Sequence, residues 1–508
     1  MRSSRDLITR LAIIVGWIGV IALGVVLRVE HLSERPFHAD EATGARITAK
    51  RLESKGYEFD PLHYHGPTLS MLGAVVAMVR GEGSWKELTK EGLRLVPVVA
   101  GVMVLLVPLL GRRRWGDAPM LLAGLLLATS PLLVYNSRMF IHEMLLVLFG
   151  LPAVLLLAGK PRFLAVGLLI GLMFATKESV VISGMAWVAA GLLVAVMMRS
   201  EITASKVRLF WKEQRVRFAV GMGAGLALAL LLYTDFLRHP SGALDAFRTF
   251  FTYKTEEGHD KGGGYYLSLL ILPTKAGGRW WFETGVFILA LMAVARSFRR
   301  QVGVSRPVVW FLAWSALAHV AIYSFFGYKT PWLMCLPWAH VCVLAGFSVA
   351  GLRMPEWIGL AAAAVAVCVI LQVRQTRWTT GRFANDARNT YAYVPTSADV
   401  ENLEKWLAKI RAVLPEGEGL EPVGVVGSRY WPLPWYLREF NTIGYWPEAA
   451  MVPDDMPLVI GMPEVMEGLN ARLEGSHEAV PRSLRSEVPV MVYLRKDIWK
   501  HWIESPAE

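Results

Sequence analysis

Apolar blocks recur along this chain at residues 10–28, 67–80, 94–111, 118–136, 139–158, 163–176, 179–198, 218–237, 281–296, 307–326, 332–351 and 355–373, with few charges inside them. Nothing else in the sequence constrains the fold as strongly. About 20 residues rising ~1.5 Å each cross the ~30 Å hydrocarbon core of a bilayer, so such blocks predict transmembrane helices. The chain is 54% hydrophobic, too apolar for an ordinary soluble enzyme. Its 19 tryptophans, many near block ends, suit the aromatic belts at membrane interfaces. The expectation is an all-α polytopic membrane domain.

The block at 67–80, "PTLSMLGAVVAMVR", makes only about 21 Å of helix and falls short of the ~30 Å core. If it does not span, every later block acquires a consistent side. The basic loops at 112–114, Lys160 and Arg162, 199–217, 296–306 and Arg353 then face the cytoplasm with the N-terminus, as the positive-inside rule requires. If it spans, all of them turn outward. Residues 67–80 are therefore expected to be interfacial or re-entrant, inside a large outer loop over 29–93, which leaves about 11 spanning helices. The N-terminal "MRSSRDLITR" has a signal-like charge pattern but no A-x-A cleavage site, and it reads as leading into an uncleaved first helix. The protein is expected in the cell (inner) membrane with its N-terminus cytoplasmic.

The net charge of +11 is accounted for by those loops, and the reading has no nucleic-acid partner. Cys335, Cys342 and Cys368 all fall inside apolar blocks, which excludes a disulfide framework and a Cys-type metal site. Beyond about residue 374 the composition changes. "ADVENLEKWLAKI" (398–410) has helical spacing, while "PVGVVG" (422–427), "PLVIGM" (457–462) and "VPVMVYL" (488–494) read as buried strands. Two units are expected: a transmembrane domain over 1–373 and a small extracytoplasmic α/β domain over 374–508, long enough for its own core.

With that topology, the polar residues that do not serve as cytoplasmic anchors gather on the outer face. In "RPFHADEATG" (35–44), Asp40 and Glu41 stand side by side at the lip of the bilayer. Adjacent carboxylates disfavour joint ionisation, so one of them can act as a base near neutral pH. Capping of the helix that follows is the competing reading, and the two are compatible. "DPLHYHGP" (60–67) places His63 and His65 two apart. With His38 and the acids nearby they could bind a divalent metal, or bond within the loop and help hold an acceptor or headgroup. Arg138 ends "YNSR", with His142 and Glu143 one turn into the next block. Ionisable groups within a membrane block are candidates for function by default, although an interfacial arginine can also snorkel. Lys177 in "ATKES" and Lys329 in "GYKTPW" are further cations on the same face, suited either to a lipid phosphate or to anchoring a helix. The segment 249–281, rich in aromatics, glycines and charges, reads as an interfacial lid or as an amphipathic connector.

The ordered set "HADEA", "YEFDPLHYHGP", "LRLVPVVAGV" and "SPLLVYNSR" resembles the GT-C membrane glycosyltransferases, within their protein O-mannosyltransferase and aminoarabinose-transferase-like branch. "YHGP", "TKES", "YKTPWL" and "WPLPWYLR" (431–438) look like a bacterial and archaeal family labelled flippase-activity-associated. The resemblance covers nearly the whole chain. It implies an outer loop with interfacial helices after the first span, and a cleft for a polyprenyl-phosphate-linked sugar. It also implies that Asp40 acts at the acceptor with Glu41 as partner, and that Arg138 belongs to the site. Where that superfamily often has an Asp shortly after the arginine, this chain has Glu143. Lys177 and Lys329 match basic positions of the narrower family.

The function expected is sugar transfer from a polyprenyl-phosphate donor to a hydroxyl of a protein, lipid or glycan acceptor at the outer membrane face, with inversion. The competing classes are a flippase or transporter-associated component and a catalytically silent scaffold. Transporters show paired repeats and broken helices at the midplane; no repeat is visible here.

Overall fold

The computed structural model describes residues 2–53, 57–159, 161–200, 203–252, 261–298, 305–352, 354–415 and 419–505. Among them, seven helices are long and apolar enough to cross a membrane: Leu7–Val29, Lys90–Trp115, Val180–Met197, Ser205–Tyr233, Arg306–Phe325, Pro331–Val349 and Pro355–Thr380. Four shorter apolar helices, Asp117–Thr129, Glu143–Ala158, Phe163–Phe174 and Thr284–Phe298, occupy the remaining blocks expected to span. The chain is an integral membrane protein. Pro331–Val349 is the centre of the bundle, with 83% of its apolar window buried, whereas Pro355–Thr380, at 11%, lies on its outside.

The helices are α1 (Arg2–Val29), α2 (Ala39–Leu52), α3 (Thr68–Arg80) and α4 (Lys90–Val104) at the N-terminal end of the chain. The helix α3 has 13 residues, about 20 Å, so the block at 67–80 forms the short helix its length predicted. Two buried arginines tie helix ends together. Arg28 of α1 donates to the Leu127 and Ala128 carbonyls at the end of Asp117–Thr129, at 3.1 Å each. Arg138 donates to the Leu27 and His31 carbonyls at the end of α1, at 3.2 and 3.0 Å. A cation at a helix C-terminus meets carbonyls that have no intrahelical partner and the negative end of the helix dipole.

Helix Phe163–Phe174 packs on Ala204–Tyr233 through glycines. A Cβ on Gly167 would fall 1.8 Å from the Gly221 carbonyl oxygen, and one on Gly225 would fall 1.9 Å from that of Gly167. In lipid, where apolar side chains gain nothing by leaving their surroundings, such backbone contact is what holds two helices together.

In the connector after Thr252, residues 253–260 lie outside the described residues, and with them part of the segment read as a lid. Its remainder forms helix Tyr265–Leu270 and a hairpin of β1 (Thr274–Ala276) and β2 (Arg279–Trp281). The C-terminal unit carries β3 (Val423–Val426), β4 (Ile443–Trp446), β5 (Leu458–Gly461), β6 (His477–Arg485) and β7 (Val488–Arg495). They form one sheet in the order β4-β3-β5-β7-β6, parallel across β4, β3 and β5 and antiparallel beyond. Helix Asp399–Val413 buries Val400, Leu403, Leu407 and Ile410, the single face its spacing predicts. This is a small α/β domain. The helix Pro355–Thr380 runs seven residues past position 373, so the helical part of the chain extends beyond the expected boundary.

Candidate functional site

The loop between α1 and α2 is pinned from below by Glu41. Its carboxylate is fully buried and accepts from Arg94 Nε and Nη2, both at 2.8 Å, and from Arg35 Nη2 at 3.4 Å. It also accepts the backbone N–H groups of His38 and Phe140, each at 3.0 Å. Burial alone would push this carboxyl up. The charges of Arg94 and Arg35 and the bonds from Arg94 and His38 outweigh it and hold the group at about 2. Arg94 spends its other donors on the carbonyls of Leu32, Arg35 and Pro36. Glu41 thus has no oxygen left for a substrate.

Asp40 is different in kind. His38, not Asp40, caps α2: its Nδ1 accepts the Asp40 N–H at 3.2 Å while Glu41 accepts the His38 N–H. Relieved of capping, the Asp40 carboxylate is 52% exposed, and His38 Nδ1, 3.7 Å away, is the nearest basic atom among the described residues and holds no proton to share with it. The adjacent acids do not act as a pair. One is buried in arginines and the other faces outward.

Around Asp40 stand Tyr393, Tyr328 and Trp332. Burial, and after it the Asp40 charge, raises the Tyr393 hydroxyl above its usual range. Tyr328 is raised chiefly by burial and feels the charges of Lys177, Asp40 and Glu143. The Trp332 ring packs edge-on against both His38, at 6.1 Å, and Tyr393, at 4.8 Å. Lys261, which sequence reasoning missed, lies 5.1 Å over the Tyr393 ring and 4.4 Å over Tyr265, and donates to the Lys329 carbonyl at 2.9 Å. Burial lowers its ammonium to about 8. Lys329 is 5% exposed and donates to the Phe326 carbonyl at 2.6 Å. Among the described residues neither lysine is paired with a carboxylate.

The second half joins "YHGP" to "ATKES". His65 Nδ1 lies 2.9 Å from Glu178 and Lys177 Nζ 2.6 Å from Glu143, with the His65 and His142 rings 5.1 Å apart. Thr68 N–H donates to the Ala175 carbonyl at 3.2 Å, and the Thr68 hydroxyl donates to that of Thr176 at 2.8 Å. Gly66 makes this approach feasible, since a Cβ there would sit 2.2 Å from the Ala175 carbonyl oxygen. Gly66→Ala should therefore cost about 1–3 kcal/mol, read as a lower midpoint of thermal unfolding in detergent. An unchanged midpoint would mean that the two backbones can part freely. Beneath Glu143 a narrow cleft runs between the helices, lined by Ser179, Ser183, His319, Tyr323 and Trp332.

Two expected members stand apart. His63 is exposed and bonds Asp60 at 2.8 Å, away from His65 and its Glu178, so the H-x-H spacing does not bring two imidazoles together. Among the described residues no three His, Cys, Asp or Glu side chains converge as metal ligands. Arg138 reaches the site through its backbone, accepting from Arg35 Nη2 at 2.8 Å, while its guanidinium holds the end of α1. Of the residues missed, Arg94 carried a signal: it is an ionisable group inside an apolar helix. Lys261 carried none, being one charge among many in its connector.

Neither a family model nor a curated protein matches the sequence. Solved structures do match the fold. The aminoarabinose transferase ArnT from Cupriavidus metallidurans, in a complex with undecaprenyl phosphate, superposes with a TM-score of 0.61 at 18% identity, over 94% of this chain and 97% of that one. Its apo form gives 0.61 at 17% identity, over 94% and 98%. The oligosaccharyltransferase AglB from Archaeoglobus fulgidus, in complex with an inhibitory peptide and a dolichol-phosphate, gives 0.53 at 14% identity, over 91% and 70%. Over nearly the whole chain, the helical bundle and the α/β domain that follows it have the GT-C fold of these structures.

Proposed function

We propose that the protein is a membrane glycosyltransferase that moves a sugar from a polyprenyl-phosphate donor to an acceptor hydroxyl at the outer membrane face. The observation that carries this is the exposed Asp40 carboxylate together with two cations, Lys261 and Lys329, that no carboxylate neutralises among the described residues; Lys261 overlies the Tyr393 ring, whose hydroxyl feels the Asp40 charge. The fold shared with proteins captured on undecaprenyl phosphate and a dolichol-phosphate supports the choice of donor.

In this reading Asp40 takes the proton of the acceptor hydroxyl as its oxygen bonds to the anomeric carbon. The bond from that carbon to the phosphate oxygen breaks, and its electron pair stays on the phosphate. A polyprenyl phosphate leaves, and Asp40 returns the proton to water. One displacement inverts the anomeric centre. The leaving phosphate gains charge as the bond breaks, so preorganised cations stabilise the transition state more than the ground state. Glu41 does not touch substrate; it positions Asp40 through the first turn of α2. His65, Glu143 and Lys177 form the wall opposite, with Lys177 and His65 already balanced by Glu143 and Glu178.

The test is transfer from labelled polyprenyl-phosphate sugars in proteoliposomes, with translocation followed in parallel. Product formation supports the enzyme. Lipid movement without transfer would replace this reading with a flippase.

A pH profile adds a second check. Because its folded value is lowered to about 8, Lys261 loses its charge as pH rises through that point, and donor KM should climb above it. Lys261→Arg, whose guanidinium stays charged, should flatten the climb. Identical profiles for the two proteins would remove Lys261 from the donor site.

A further inference from the structure

The C-terminal domain is bound to the loop that carries Asp40, and the contacts fall on one dipeptide. The Phe37 N–H donates to Tyr436 Oη at 2.7 Å, and the Phe37 carbonyl accepts from Thr396 Oγ1 at 2.9 Å. Both main-chain groups of Phe37 are thus held by side chains roughly 360 to 400 residues away, not by the local chain. Its ring is fully buried, 4.2 Å from that of Trp435. One residue on, His38 Nε2 lies 2.9 Å from the Tyr393 carbonyl. A carbonyl only accepts, so that nitrogen carries the proton. This leaves the Nδ1 lone pair to receive the Asp40 N–H.

From these contacts we infer that the C-terminal domain is a positioning device for the catalytic carboxylate, with Tyr436 and Thr396 as its positioning residues. Asp40 lies between two anchors. The arginines of the membrane domain fix Glu41 on one side, and the C-terminal domain fixes Phe37 and His38 on the other. Each anchor alone leaves the intervening residues a torsional freedom that the two together remove. The segment "WPLPWYLR" contributes Trp435 and Tyr436, and so serves the acid from above. The inference rests on the reading of Asp40 as the base.

The test is the double variant Tyr436→Phe with Thr396→Val, which removes both hydroxyls and keeps ring and volume. Full-length protein in proteoliposomes should lose about tenfold in kcat, with donor KM unchanged because Lys261 and Lys329 are untouched. Amide exchange across residues 37–41 should accelerate in the same variant, while exchange in the helices of the bundle stays as it was. Faster exchange with undiminished kcat overturns the inference, as does a fall in kcat without faster exchange. If the unmodified protein itself transfers no sugar, the glycosyltransferase reading is what fails. The anchoring is then judged on exchange alone, and unchanged protection of 37–41 overturns it.

Discussion

Asp40→Asn should lower sugar transfer by about 10²–10⁴-fold, the range general-base catalysis supplies, with insertion and thermal stability unaltered. The amide has the shape of the carboxylate but cannot take a proton from the acceptor. Three observations keep the effect on chemistry. His38 caps α2, so the helix start does not depend on Asp40. The carboxylate is half exposed and sits in no buried network. The cations that would meet the donor phosphate are held by carbonyls and aromatic rings instead of by Asp40. Donor KM should therefore change little. Asp40→Glu, which lengthens the same chemistry by one methylene, should recover part of the rate. An Asn variant with undiminished turnover would sink the assignment of the base.

The second large effect is structural. Glu41→Gln should destabilise the protein by about 3–5 kcal/mol, because it leaves the buried Arg94 charge without its counter-ion. Replacing Arg94 as well should not rescue it. The carbonyls of Leu32, Arg35 and Pro36 would lose their donors, and the Gln amide, with one acceptor oxygen, could serve only one of the N–H groups of His38 and Phe140 that Glu41 holds on separate oxygens. The same linkage has a pH signature. Glu41 is depressed from 4.5 to about 2 in the folded protein, so its contribution is fully present above about 4.5 and is lost as pH falls through about 2. The unfolding midpoint of the unmodified protein should fall over that interval, and the Gln variant, already destabilised at neutral pH, should show a shallower acid slope. A Gln variant with an unchanged midpoint would mean that the arginines find other partners.

How much of this was legible follows from what each feature depends on. Membrane helices announce themselves locally, but length does not set the block at 67–80 apart: α3 has 13 residues, as many as Asp117–Thr129 and one more than Phe163–Phe174, so its separate reading depends on the charges of the loops that follow it. In the C-terminal domain the three segments read as strands, β3, β5 and β7, are the interior members of the sheet. Their runs are apolar because neighbours cover them on both sides. The two that were missed, β4 and β6, are its edges. The pattern breaks there because β4 is short and half-exposed, and β6 carries Glu478, Arg482 and Arg485, as suits edge strands. The site divides in the same way. That Asp40 and Glu41 were candidates was visible in their place just after the first apolar block. That they would separate was not, because the decision belongs to Arg94, 53 positions away, and to a cap supplied by a histidine where Asp or Ser would ordinarily be sought. The docking of "YHGP" on "ATKES" was legible as two motifs but not as one contact, since nothing local ties Gly66 to Ala175.

The helices behind the site have one more implication. Phe163–Phe174, whose C-terminal end delivers Ala175 to Glu178, has 12 residues and is about 18 Å long against a ~30 Å hydrocarbon core. Its glycine seam locks it to a helix of 30 residues, so it cannot slide along the membrane normal to share the shortfall between its two ends. A bilayer that met this helix along its whole length would have to thin on that side, and the ends of the helix, with residues 175–178 at one of them, would then lie deeper than the ends of the 30-residue helix beside it.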